Sequence, residues 1–357
     1  MKILIVLPND ALGGAEQYLK MVATYFKQED VSIFFLKTNH TKQWEDVGQK
    51  TKRSIGSSKH ILFGVFKFFL FSLRQKKEYD YIFTSHVYIN ALVGTLLSLK
   101  ILKTKKFIVR ESTSIFLRYK GFKLFLYQLA YKVGYKKINL IICQTEVMKA
   151  QLIQHFKGIQ NKTLVKTIPN PINLEYLKQI NQKKSTIDLP YEFIVSAGRL
   201  IEEKGYDILI DAFYEVKKTH KNLKLLLLGD GALKRALQAQ IEKLNLTDDI
   251  LLLGHVTNVY DYFKTAKLCV VSSRIEGFPN VLLQMMSQNN TVVSTKCAGG
   301  IDMINGVITA ETNDINSLSN AILKGLSDTD NTDNRAKFDT YLSDRDINQF
   351  IKNLLVV

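Results

Sequence analysis

The sequence predicts an α/β protein of two Rossmann-like domains, each with a parallel sheet covered by helices on both faces. Short apolar runs of strand length alternate with helical patterns along the 357 residues, which is typical of parallel sheets. The alternation stops and restarts near Asn170 to Leu174, which indicates a domain boundary there. The length also suits two domains, each able to bury its own core, better than one.

The first domain opens with a buried strand, a turn at Gly13 and Gly14, and an amphipathic helix. Its later strands are predicted in the runs VSIFFL, YDYIFTS, KKFIVRES and NLIICQ. The strands of the second domain are predicted in YEFIVSAGRL, LKLLLLGDG, DILLLGHV, AKLCVVSS and NTVVST. A last helical segment, Phe338 to Leu355, follows a polar and acidic run.

The net charge of +16 is concentrated in the first domain. Residues 1–168 carry 28 Lys and Arg against 10 Asp and Glu, whereas residues 169–357 carry 21 against 23. Two basic stretches rich in Phe, Leu and Tyr, residues 61–77 and 114–137, resemble segments that lie in an anionic membrane surface. The alternative is a pair of core helices with solvated ends. Nucleic acid is not expected as a partner, because no recognition motif accompanies the charge.

The three cysteines, Cys143, Cys269 and Cys297, are far apart in the sequence, and the first two lie in apolar runs. We expect reduced thiols and a cytoplasmic protein. Because Met1 runs directly into a strand, no leader peptide is expected. No apolar run reaches the roughly 20 residues that a membrane span needs.

The stretch SSRIEGFPNVLLQMMS, residues 272–287, is predicted to turn from a buried strand into a helix. Pro279 suits the first helical position, and the amides around Phe278 to Asn280 can then point at an oxygen-rich ligand. Glu276 lies on the rim of this turn. The alternative is that Glu276 only caps an ordinary helix.

Two further groups follow strands, at the sheet edge where ligands of such domains bind. Gly13 and Gly14 could hold an anion with their amides, although GGAE lacks the spacing of a nicotinamide site. Arg199 and Lys204 follow the first strand of the second domain, where two cations could pair with a diphosphate. Lys204 beside Glu202 and Glu203 could also be a surface charge cluster only.

Several short motifs are spread across nearly the whole chain. They are Gly13-Gly14-Ala15-Glu16, Ser85-His86, Asn170-Pro171, Gly198-Arg199-Leu200 with Glu203-Lys204-Gly205, Gly229-Asp230-Gly231, Gly254-His255-Val256, and Glu276 with the Gly-Phe-Pro-Asn that follows it. Together these motifs resemble glycosyltransferase family 4, a family of the GT-B fold. They occur in the family's order, and their joint occurrence is specific.

The resemblance implies a retaining transferase with two facing Rossmann-like domains. The acceptor-binding domain would comprise residues 1–170 together with residues 336–357, whose helix crosses back to it. The domain that binds the nucleotide-sugar would comprise residues 171–335. We therefore expect the GT-B fold.

The resemblance also implies roles for individual residues. Arg199 and Lys204 would neutralise the donor diphosphate with help from amides near Gly14, so that no metal and no cofactor is required. His86 would lie near the sugar on the acceptor side, unless it is only a structural histidine at a strand end. The donor-binding set is completed by Glu276 and the backbone of Gly277, Phe278, Pro279 and Asn280 at the sugar hydroxyls, and by backbone near His255 and Val256 at the base.

The chain departs from the family at Gln284, where a second glutamate usually holds the nucleotide ribose. A neutral amide still offers one acceptor oxygen and adds a donor, so we expect weaker nucleotide binding and unchanged chemistry. The acidic run Asp328 to Asp330 is expected to be solvated, with no bound metal.

The expected activity is transfer of a hexose or N-acetylhexosamine from a nucleotide-sugar, with UDP as the expected nucleotide, to a lipid-linked saccharide in cell-surface polysaccharide synthesis. The protein is expected to be cytoplasmic and peripheral on the inner face of the cell membrane. Two alternatives remain open. A nucleotide-sugar epimerase of the same architecture would need no acceptor, and a catalytically weak partner subunit would bind sugar without turnover.

Overall fold

The structure, a computed structural model, describes residues 1–48, 50–57, 60–327 and 332–355. The chain divides into two compact units. The first unit comprises Met1–Pro171 together with the chain from Ile347 onwards, and the second comprises Ile172–Asp346.

The first unit contains a seven-stranded sheet in which all strand pairs are parallel. The strand order is β3-β2-β1-β4-β5-β6-β7. Because both faces are covered by helices, its central strands are continuous apolar runs. The strands are β1 (Lys2–Leu7), β2 (Asp30–Lys37), β3 (Lys52–Ser57), β4 (Tyr79–Thr84), β5 (Thr104–Arg110), β6 (Leu140–Cys143) and β7 (Leu164–Thr167).

The helices of the first unit form two layers with separate apolar cores. One core takes side chains from α2 (Ile61–Leu73), α3 (Val87–Ser98), α4 (Ile115–Arg118), α5 (Gly121–Gly134) and α6 (Glu146–His155). The other core, on the opposite face, takes them from α1 (Gly14–Tyr25) and from the last helix of the chain, Ile347–Leu355. Short 3₁₀ turns occupy Glu45–Val47 and Ile159–Asn161.

The second unit contains a six-stranded parallel sheet, ordered β10-β9-β8-β11-β12-β13. Its strands are β8 (Phe193–Ala197), β9 (Lys224–Leu228), β10 (Ile250–Gly254), β11 (Leu268–Val271), β12 (Val292–Thr295) and β13 (Val307–Ala310). Its helices are α7 (Leu174–Asn181), α8 (Tyr206–Lys217), α9 (Lys234–Lys243), α10 (Val259–Thr265), α11 (Asn280–Met286), α12 (Ile315–Ser327) and α13 (Thr332–Ser343), with 3₁₀ turns at Glu202–Lys204 and Ile301–Met303.

The two Rossmann-like sheets and all ten predicted strands are confirmed. Three strands were not predicted, namely β3, β7 and β13, and each lies at the edge of its sheet. An edge strand is covered along one side only, so it tolerates short and polar sequences such as KRSIGS. The three cysteines are buried free thiols, as expected.

The predicted point of return to the first domain, residue 336, is wrong. Helix α13 packs Phe338 and Leu342 into the core of the second unit. The chain returns at Ile347 with α14 (Ile347–Leu355), which buries Phe350 and Leu354 in the first unit. The acidic run Asp328 to Asp330, predicted to be solvated, lies outside the described residues.

Helices α2 and α5 each bury one face and expose apolar side chains on the other. In α2, Leu62 is 77% exposed and Phe63 63%, while Phe68 is fully buried. In α5, Phe122 is 74% exposed and Phe125 56%. These helices are therefore only partly core helices. Within the described residues, no helix is long and apolar enough to cross a membrane.

Candidate functional site

Each sheet has a point where the strand order reverses, and such points are where open α/β sheets bind ligands. In the second unit this point lies between β8 and β11. The two loops that follow these strands carry Arg199, Lys204 and Glu276, three of the predicted site residues. In the first unit the corresponding point lies between β1 and β4, and the loops there carry Gly13 and His86.

Lys204 and Glu276 form an ion pair. Lys204 Nζ lies 2.6 Å from Glu276 Oε1, and the side chains are only 18% and 21% exposed. Ser273 Oγ donates to the same carboxylate oxygen at 3.1 Å, and the Glu276 amide donates to Cys297 O at 2.8 Å. The sequence placed both residues in the site but did not predict their contact.

The turn that carries Lys204 is fixed against the loop after β11. Gly205 has φ +63°, and a Cβ there would lie 2.3 Å from Ser272 O, so this close approach requires glycine. Ser272 Oγ also donates to Lys204 O at 2.9 Å. These contacts fix the backbone of Lys204, and the ion pair with Glu276 fixes its ammonium group.

A second ion pair, which the sequence did not reveal, supports the same turn. Arg274 donates to both carboxylate oxygens of Asp207, at 2.8 and 2.5 Å, and to Glu202 O at 2.8 Å. Burial would raise the pKa of Asp207, but the contact with Arg274 outweighs it, and the pKa is lowered. Nothing in the spacing of the two residues signals this pair.

Arg199 differs from Lys204 in its surroundings. It lies directly after Gly198 and is exposed. In the part of the chain that the structure describes, no acidic side chain pairs with it. Of the two predicted cations, one is therefore neutralised within the protein, whereas the other keeps its charge at the surface.

The turn after Glu276 runs as predicted into helix α11, with one difference. Pro279 is the N-cap, and Asn280 is the first helical residue. Pro279 was predicted at the first helical position, so that assignment is wrong by one residue. Gly277 and Pro279 are buried, while Phe278 and Asn280 are partly exposed. Ligand binding by the backbone of these four residues stays a prediction.

Gln284 is partly exposed in the second turn of α11. Its Nε2 donates to the Tyr260 hydroxyl at 3.2 Å, which directs the amide oxygen to the opposite side. Burial raises the pKa of Tyr260 to about 12, so this hydroxyl stays protonated.

His255 and Val256 follow β10 at the same edge of the sheet as Arg199. Their contact with a base stays a prediction.

In the first unit His86 contacts an acid that the sequence did not assign to the site. His86 is the N-cap of α3, and its Nε2 lies 2.8 Å from Glu16 Oε1. Glu16 also accepts from the Gly13 amide at 3.2 Å, so this amide already has a partner. Burial would raise the pKa of Glu16, but the contact with His86 outweighs it, and the pKa is lowered. A glutamate three residues after the N-cap is a sequence signal for this capping arrangement.

A buried cation lies near the same edge. Arg110, at the end of β5, donates to Ser85 Oγ and to Asn170 Oδ1, and its guanidinium lies 4.8 Å from the Tyr18 ring centroid. Burial lowers its pKa to about 10. Among the described residues its Nε has no hydrogen-bond partner. Sequence reasoning placed Asn170 in a motif but did not identify Arg110.

Comparisons with known proteins agree with this arrangement. Residues 178–343 match the family described as glycosyl transferases group 1. An uncharacterized glycosyltransferase of Methanocaldococcus jannaschii is 39% identical over 178 residues, which are 48% of this chain and 43% of that protein. The N-acetylgalactosamine-N,N'-diacetylbacillosaminyl-diphospho-undecaprenol 4-alpha-N-acetylgalactosaminyltransferase of Campylobacter jejuni is 35% identical over 166 residues, which are 46% of this chain and 44% of that protein. The chain thus spans less than half the length of these two relatives.

A solved structure shows the fold. The structure of Anabaena HepE in complex with UDP and glucose covers 99% of this chain and 98% of HepE, with a TM-score of 0.82 and 18% identity. The two Rossmann-like units are therefore those of a GT-B protein, as predicted. The match to the glycosyl transferases group 1 family lies within the second unit.

Proposed function

We propose that the protein is a retaining glycosyltransferase that moves a hexose or N-acetylhexosamine from a UDP-sugar to a lipid-linked saccharide for cell-surface polysaccharide synthesis. The observation that carries the proposal is the group of Arg199, Lys204 and Glu276 where the strand order of the second unit reverses. This group combines cations for a diphosphate with a carboxylate for sugar hydroxyls. The nucleotide is supported by HepE, whose structure holds UDP and glucose.

The chemistry follows from how these charges are held. When the bond between the sugar and the diphosphate breaks, negative charge develops on the diphosphate, and fixed cations stabilise it. Arg199 can bind a phosphate oxygen without losing an acidic partner, and the Lys204 ammonium has three donors, so it can share itself between Glu276 and a phosphate. The two cations supply the positive charge that a metal supplies elsewhere, so we propose metal-independent turnover. Retention is inferred from the family resemblance.

The acceptor side is assigned to the first unit. The partner of His86, Glu16, holds the imidazole in one orientation, which suits contact with a sugar near that group. A lipid-linked acceptor is supported by the Campylobacter jejuni relative, whose name includes a saccharide on diphospho-undecaprenol. The exposed apolar faces of α2 and α5 and the excess of basic residues in this unit support contact with an anionic membrane surface.

A panel of nucleotide-sugars, each with and without a lipid-linked saccharide, tests the activity. We expect nucleotide release that requires the acceptor and persists with EDTA. Lys204→Met should abolish most of it, while Lys218→Met, which removes an exposed lysine paired with Glu215, should not. An altered free sugar without acceptor would instead support the epimerase, and binding without turnover would support a partner subunit.

Vesicle sedimentation tests the membrane contact. The protein should bind phosphatidylglycerol vesicles better than phosphatidylcholine vesicles, and binding should weaken as salt screens the charges beyond about 8–10 Å. Phe122→Asp should reduce binding, because it places a charge on the exposed face of α5. Equal binding to both vesicle types, or binding to neither, would exclude the anionic surface as a partner.

A further inference from the structure

A buried carboxylate of the first unit lies outside the candidate site. Glu111 directly follows β5 and is only 2% exposed. Its amide donates to Ile142 O at 2.8 Å, and its carbonyl accepts from Gln144 Nε2 at 2.8 Å. The backbone of Glu111 is therefore fixed to the neighbouring strand β6 and to the loop after it.

Two tyrosines of the α5 region donate to this carboxylate. Tyr131 donates to Oε2, and Tyr135, at the C-cap of α5, donates to Oε1 at 2.7 Å. The Tyr135 hydroxyl accepts from Asn90 Nδ2 at 2.8 Å, and Asn90 Oδ1 accepts from Thr84 Oγ1 at 2.5 Å. One buried network thus joins the ends of β4 and β5 to helices α3 and α5, and such networks act as units.

The network ends one helical turn from His86. The Asn90 amide donates to His86 O at 2.7 Å, which closes the first turn of α3. Helices α3 and α5 also approach backbone to backbone, since a Cβ on Gly94 would lie 1.9 Å from Gly134 O. A displacement of α5 should therefore also displace the start of α3.

We propose that Glu111 is a positioning residue that couples helix α5 to His86, so that docking of the exposed face of α5 on a lipid surface sets the position of the imidazole. This inference rests on the proposed function, in which α5 contacts the membrane and His86 lies near the acceptor. Glu111 itself touches neither the lipid nor the substrate.

The charge of Glu111 changes near neutral pH. Burial raises the pKa of this carboxyl to about 7, although the hydroxyls of Tyr131 and Tyr135 and the charge of Arg110 act in the opposite direction. From β6 it faces Cys143, whose pKa is raised by burial and by this carboxylate. Protonation removes the charge that both hydroxyls bind, so the coupling should weaken as the pH falls below about 7.

Hydrogen exchange with and without phosphatidylglycerol vesicles at pH 8 tests the coupling. In the native protein, vesicles should slow amide exchange several-fold both in α5 and in residues 86–94. In Glu111→Gln they should slow exchange in α5 only. Equal slowing of residues 86–94 in both proteins would overturn the proposal, because the effect would then pass without the carboxylate.

Glu146→Gln is the matched control, since Glu146 is an exposed acid at the start of the neighbouring helix α6. It should behave as the native protein does. Tyr135→Phe removes one hydroxyl and should reproduce the Glu111→Gln result. It therefore replaces Glu111→Gln in this experiment if Glu111→Gln does not fold. If vesicles protect α5 in no protein, the membrane part of the proposed function fails. The coupling is then tested by comparing Glu111→Gln with the native protein in the absence of vesicles. Equal amide exchange of residues 86–94 in the two proteins would overturn the coupling.

Discussion

The pair of Lys204 and Glu276 gives the sharpest prediction, because each residue should affect both turnover and stability. Replacing Lys204 with Met removes a cation that, in the proposed function, acts on the diphosphate as charge develops. Single electrostatic stabilisers of this kind contribute about 2–4 kcal/mol, so turnover should fall roughly 30- to 1000-fold.

The same change also leaves Glu276 without its cation. Its side chain is only 21% exposed, and within the described residues only the Ser273 hydroxyl still donates to it. A partly buried acceptor that loses its partner costs about 1–3 kcal/mol, so Lys204→Met should also unfold at lower urea concentration. Glu276→Gln in the same chain removes the unpaired charge and should recover part of that loss.

The measurements are nucleotide release and urea unfolding of the two single variants, the double variant and Lys218→Met. We expect the double variant to be more stable than Lys204→Met alone yet no more active. Native turnover by purified Lys204→Met would refute the assignment of Lys204 to the diphosphate. Additive stability losses in the double variant would show that the ion pair contributes nothing to folding.

Three further predictions follow from other parts of the structure. Gln284→Glu should tighten UDP binding several-fold in calorimetry and Gln284→Leu should weaken it, since a charged hydrogen bond contributes about 1 kcal/mol more than a neutral one; equal binding by the Leu variant would mean that this side chain does not touch the ribose. Phe350→Ala should destabilise the first unit and Phe338→Ala the second, each by about 3–5 kcal/mol in hydrogen exchange, and the reverse pattern would contradict the assignment of α13 and α14. The folded Glu111 carboxyl keeps its proton up to about pH 7, while the unfolded one loses it near 4.5. The native protein should therefore lose stability relative to Glu111→Gln between about pH 5 and pH 8, by at most about 3 kcal/mol. Parallel pH profiles of the two proteins would contradict the raised pKa.

The sequence was sufficient for the central part of each sheet and insufficient for the edges. A central strand between two helical layers must be apolar on both faces, so runs such as KLLLL are recognisable. The edge strand β13, VITA, has only four residues, and three of them are partly exposed, so its apolar run is short. The return of the chain was misplaced because α13 is mostly polar and, among its described side chains, buries only Phe338 and Leu342. Two apolar residues do not tell which core a helix joins.

The candidate site shows the same limit at the level of single residues. Lys204 and Glu276 were predicted because each belongs to a motif beside a predicted strand. Arg274 was not found, because its partner Asp207 is 67 residues away in the sequence, and only the fold brings the two together. Glu111 was hidden within a predicted strand run, where a lone acid gives no indication that it is buried.

Each unit pairs one partly buried acid with a base at its sheet edge. His86 faces Glu16 at 2.8 Å, and Lys204 faces Glu276 at 2.6 Å. Such pairs keep isolated charges out of a low-dielectric site, where an unpaired one would cost several kcal/mol. In the proposed function a diphosphate would then share Lys204 with Glu276, and that sharing suits a flexible ammonium better than a planar guanidinium. Arg199, which has no acidic partner in the described part of the chain, would supply the charge that is not shared. The two cations are therefore not interchangeable, although the sequence presents them as equivalent.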